Sequence, residues 1–197
     1  MKVKLKKIKV DNPAVYIINQ YRITAANHIN GALNTMRANA GNHQAMMATA
    51  NQLYEDLIHL QMIGLLSKRD YDEAAAIAFE TMAGAVVGFS LPKIIIVRNE
   101  DEKDICSMSE AKELVRTAIA APINKCLKAL LDDSDEDWHE DGWESREEYN
   151  QCLIKTVHNV MRVSRIIGAT TTKDHDNVTE HMKQCIETQA FAALELE

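Results

Sequence analysis

Apolar residues recur at helical spacing along most of the chain. Val15, Ile18, Ala25, Ile29, Leu33 and Met36 form a first stripe, and steps of three and four residues place side chains on one helix face. Asp11-Asn12-Pro13 reads as the start of that helix, with proline in its first turn. Asn30-Gly31 is a candidate break or kink within it. Ala40-Gly41-Asn42 reads as a stop followed by a new cap, and Met46, Ala50, Leu53, Leu57 and Leu60 then predict a second helix. Asp70-Tyr71-Asp72-Glu73 resembles a capping arrangement for a third, running to about Phe89. A fourth spans "CSMSEAKELVRTAIAAPINKCLKALL", with Ser107 and Glu110 at capping-box spacing and Pro122 expected to kink or split it. Cys152, Val157, Val160 and Ile167 mark a fifth that stops at Gly168, and Val178, Met182, Cys185 and Ile186 mark a last helix from about Asp174.

Two stretches break this periodicity. Lysines alternate with apolar residues near the start, and the pattern slips at Lys6-Lys7; residues 2–10 read as a strand with one wet face and a bulge. Ile94 to Val97 are four β-branched residues in a row, so 93–98 read as a second strand, opened by Pro92. A two-stranded ribbon is marginal alone, and the second strand is apolar on both faces. Helices must cover it, or the ribbon joins its copy in a homodimer. The expected fold is therefore mainly α: one helical bundle-like domain over 1–197, with five to seven helices. Strand 2–10 pairs with strand 93–98 as a minor β element, and an acidic inter-helix loop spans 132–144.

Composition agrees with long elements and few tight turns, since 197 residues include only 3 Pro and 7 Gly. Charge changes the picture more. Residues 1–99 carry 11 Lys and Arg against 7 Asp and Glu, while residues 100–197 carry 11 against 22. A uniformly basic nucleic-acid binder is thereby excluded, though a two-faced molecule is not. The start of the chain lacks the apolar core of a signal peptide. Cys106, Cys126, Cys152 and Cys185 form no close pair, so reduced thiols in a cytoplasmic protein are expected, with no membrane association.

The densest candidate chemistry is Asp135 to Glu148, "DEDWHEDGWESREE", with eight carboxylates and both tryptophans of the chain. Read as a calcium loop, Asp137, Asp141, Gly142 and Glu148 fall at the spacing of an EF-hand, but His139 stands where an oxygen ligand belongs. Ser145 and Glu148 also have the spacing of a helix cap. Glu136 and His139 give a single E-x-x-H, whereas di-iron bundles need two such motifs and further glutamates. Glu110 and Glu113, with Asp132, could hold magnesium in a helical phosphohydrolase, yet glutamates gather at helix starts for dipole reasons alone. Lys2, Lys4, Lys6, Lys7 and Lys9 could follow a phosphate backbone, or simply protect a strand edge from unwanted pairing. "ATTTKD" after Gly168 offers hydroxyls and a lysine near a helix start, where an anion could bind, although a plain polar loop has the same composition. Gly84 to Gly88, "GAVVG", suggest a close helix crossing on the third helix. No nucleophile motif or phosphate loop is present.

The expectation that follows is a non-catalytic adaptor or inhibitor that requires no cofactor. Asp135, Asp137, Trp138, Glu140, Asp141 and Trp143 would dock on a protein partner with a basic surface. The acidic segment would imitate nucleic-acid phosphate to inhibit a nucleic-acid-processing complex, in a protein of viral or mobile-element origin. The alternatives are the phosphohydrolase, nucleic-acid binding by the basic strand, and a calcium-responsive module.

Overall fold

The computed structural model describes residues 13–91, 108–132 and 142–196. They form six helices: α1 (Pro13–Ala38), α2 (His43–Met62), α3 (Lys68–Met82), α4 (Met108–Leu131), α5 (Arg146–Ile166) and α6 (Thr172–Thr188). The described chain is mainly α-helical. The expected strands 2–10 and 93–98, including all five N-terminal lysines, lie outside the described residues.

Four helices build the centre. α1 packs on α2 and α4, and α5 packs on α2 and α4, so the four close a ring around one core. α3 leans on α1 and α2, and α6 on α4 and α5. The apolar stripes supply the core: Ala25, Ile29, Leu33 and Met36 from α1; Leu53, Leu57 and Leu60 from α2; Ile119, Ile123 and Leu127 from α4; Val157, Val160 and Met161 from α5. Fully burying one such large side chain contributes roughly 1.5–3 kcal/mol. Ile17 is buried and Ile18 only partly, while Ile186 is exposed rather than inward.

Neither helix is broken at its expected interruption. α1 runs through Asn30-Gly31, and α4 runs through Pro122 as one helix. The third helix differs from its expected bounds at both ends. Its cap is Ser67, one turn earlier than Asp70–Glu73: the Ser67 hydroxyl accepts from the Asp70 N–H, and the Asp70 carboxylate accepts from the Ser67 N–H at 2.9 Å. It ends at Met82 because Gly84 adopts a left-handed φ of 94°. The Gly84 and Ala85 N–H groups then turn back to the Thr81 and Glu80 carbonyls, a Schellman closure. "GAVVG" therefore lies beyond the helix and is not a helix-crossing face.

The residues after Gly84 run along α1 instead. Asn30 clamps them: its side-chain amide donates to the Phe89 carbonyl at 2.7 Å, and its oxygen accepts from the Phe89 N–H at 2.9 Å. Arg37 donates to the Val87 carbonyl. The same device recurs on α4, where Asn124 donates to the Leu194 carbonyl at 3.1 Å and accepts from its N–H at 2.8 Å. Each asparagine thus satisfies both backbone groups of one extended residue, and Phe89 and Leu194 are buried beneath the clamps.

Among the described residues no helix is long and apolar enough to cross a membrane.

Candidate functional site

The acidic segment joins α4 to α5, and the structure describes its two flanks. Asp132 follows α4 directly; Gly142 to Ser145 lead into α5. Arg146 holds these flanks together. Its guanidinium donates to the Ala129 carbonyl at 3.1 Å and to the Asp132 carbonyl, satisfying the carbonyl end of α4. Trp143 is half-buried and packs 6.2 Å from the Tyr149 ring, and Arg146 lies over the other aromatic partner of this group, 5.8 Å from Tyr149. Ser145 caps α5, its hydroxyl accepting from the Glu148 N–H at 3.2 Å, one half of the capping box that the spacing predicts. Glu144, Glu147 and Glu148 are exposed and edge a shallow concavity of about 290 Å³. Glu147 and Glu148 stand in the first turn, where the helix dipole favours negative charge.

Of the expected partner-binding residues, Trp143 is described; Asp135, Asp137, Trp138, Glu140 and Asp141 lie outside the described residues. The calcium register is therefore described only at Gly142, Ser145 and Glu148. The phosphohydrolase positions are far apart: Glu113 and Asp132 are separated by 19 residues of essentially helical chain, about 28 Å along the axis. They cannot share one ion. Glu110 lies with Glu113 at the start of α4. Among the described residues no group of three His, Cys, Asp or Glu side chains is arranged to hold a metal.

The densest polar cluster was not anticipated. Asp56 is 1% exposed and points into the α1–α2–α5 junction. Its Oδ2 meets His28 Nε2 at 2.7 Å, and its Oδ1 accepts from Gln52 at 3.1 Å and from Arg162. The preceding residue, Glu55, takes Lys155 at 2.6 Å and Asn159 at 3.4 Å. Burial alone would raise the Asp56 carboxyl, but hydrogen bonds and charge from His28 and Arg162 bring it below the ordinary carboxylate range. His59, buried beside it, donates to the Glu55 carbonyl; burial lowers its pKa and keeps the ring neutral. A sequence signal existed. Asp56 lies three residues after Leu53 and four before Leu60, on the buried face, so its charge had to be matched. Its partners, 28 and 106 residues away, carry no local signature.

Two further polar features lie near α6. Thr171 and Asp174 form a reciprocal capping box at its start, so "ATTTKD" is a helix cap. His158 on α5 and His175 on α6 face each other, Nδ1 to Nε2, at 3.5 Å. Burial and the neighbouring His175 lower the pKa of His158.

The described cysteines are free thiols. Cys126 is pushed up to about 11, chiefly by burial with Cys152 adding, so its thiol stays protonated and is a poor nucleophile. No known protein family, curated protein or solved structure matches the chain.

Proposed function

We propose that the protein acts by binding, presenting the acidic surface around Trp143 to a protein partner with a basic surface. The observation that carries this reading is the setting of Trp143: a half-buried ring anchored beside Tyr149, followed in the chain by the exposed residues Glu144, Glu147 and Glu148. Carboxylates of one sign attract a basic partner over a distance and fix its orientation. A tryptophan that stays partly exposed can supply the desolvated contact that carries affinity. In the sequence Asp135, Asp137, Trp138, Glu140 and Asp141 stand between flanks that Arg146 ties together. A nucleic-acid-processing complex offers a basic groove of this kind, and inhibition by phosphate imitation is the specific form proposed.

The test is titration of the full chain with an arginine-rich peptide at low and at physiological salt. Saturable binding is expected, weakened about tenfold by Trp143→Ala. A Glu144, Glu147, Glu148→Gln triple variant should lose most of the salt dependence. Equal binding by wild type and Trp143→Ala reduces the surface to unspecific charge attraction and overturns the reading.

A further inference from the structure

A cavity of about 160 Å³ opens where α1, α4 and the α5–α6 turn meet. Lys112 and Arg116 come from α4, one turn apart and therefore on one helix face. Neither is ion-paired with a described residue. Tyr21 reaches in from α1, and Thr170 and Thr171 from the turn that starts α6. The positive end of the α6 dipole closes that side. Thr170 is only 8% exposed, yet its hydroxyl has no hydrogen-bond partner among the described residues. A buried hydroxyl without a partner lowers stability, and native chains retain few of them.

We propose that this cavity binds a single phosphate group, free or at the end of a small molecule. Arg116 and Lys112 supply the charge, Arg116 with the planar fork suited to phosphate oxygens. Thr170 lines the same cavity, and a turn of its side chain toward the phosphate would give the hydroxyl the partner it otherwise lacks. The cavity of about 160 Å³ has room for a phosphate with bridging water. Asp174 also lines the cavity, but its Oδ2 is taken by the Thr171 N–H at 2.6 Å and hydroxyl at 2.7 Å. Its charge opposes the anion and leaves the lining with one net positive charge, which fits modest affinity. None of these residues belongs to the acidic surface proposed above.

The experiment is thermal melting and calorimetry of the full chain with inorganic phosphate and with glycerol 3-phosphate, against chloride at matched ionic strength. Both phosphates should raise the melting temperature saturably. Arg116→Gln should weaken binding about tenfold, and Thr170→Val should weaken it without loss of folding. Tighter binding of glycerol 3-phosphate identifies an ester as the ligand; equal binding identifies the free anion. A shift that chloride reproduces overturns the proposal, as does unchanged binding by both variants.

Discussion

The Asp56 cluster and the cavity beside Thr170 are both built where three parts of the fold meet, and they treat polar atoms in opposite ways. Around Asp56 both carboxylate oxygens are taken, by His28, Gln52 and Arg162, and the next carboxylate along the helix takes Lys155 and Asn159. Around Thr170 two cations and a buried hydroxyl have no partner among the described residues. A buried charge is tolerated when its neighbours replace water completely, and the resulting network fixes how helices sit. The contrast teaches that the most elaborate chemistry in a fold need not be its site. Asp56, His28 and Arg162 have the composition of a catalytic centre, yet the carboxylate is saturated and faces the packing of α1, α2 and α5.

Breaking the saturated cluster should have the largest effect. Asp56→Ala leaves Arg162 and His28 without their partner, and a loss of about 3 kcal/mol is expected in denaturant unfolding. A loss below about 0.5 kcal/mol would erase the distinction drawn above.

Acid probes the same side next. The folded state holds His59 and His158 below their ordinary value of 6.5, favouring the neutral rings. Their contribution is complete above 6.5 and lost as the pH falls beneath it. Asp56 is held below its ordinary 3.8, so its contribution is complete above that value and disappears only in stronger acid. Melting temperature against pH should therefore fall in two stages, and a His59→Gln, His158→Gln double variant should flatten the upper one.

On the cavity side the sign reverses. Thr170→Val removes an unpartnered hydroxyl at nearly constant shape and should stabilise the ligand-free protein by about 1 kcal/mol. Gly31→Ala is a control outside both regions. Gly31 sits within α1, and a Cβ there would meet nothing within 4 Å, so a gain of roughly 0.5–1 kcal/mol is expected from helix propensity. Arg116→Gln should change ligand-free stability least, within about 0.5 kcal/mol, because the cation is paired with no described residue.

Much of the helical frame was legible in the sequence. Every apolar position expected on α2 is buried, and most of the α1 stripe is too, because a 3.6-residue period needs no knowledge of the partner surface. Caps followed where the spacing was local, as at Ser145. Punctuation misled where tertiary contacts decide. Asn30-Gly31 resembles a break, but Phe89 gives Asn30 a use within an unbroken helix. The acidic turn was conspicuous from its composition alone. The cavity was half visible: "ATTTKD" marked one wall, while Lys112, Arg116 and Tyr21 come from distant helices that only folding brings together.

The Asn30 clamp also bears on how the protein ages. An asparagine followed by glycine is the dipeptide most prone to deamidation, because the glycine nitrogen can reach the side-chain carbonyl and form a succinimide. In α1 that nitrogen is committed to the helix, and the amide is held by Ala26 at 2.9 Å and by both backbone groups of Phe89. Folding therefore protects the bond from its own chemistry. A chain that deamidates while unfolded carries a carboxylate in place of the amide and has no donor left for the Phe89 carbonyl. Such damage accumulates only in copies already outside the native state, and it handicaps their return.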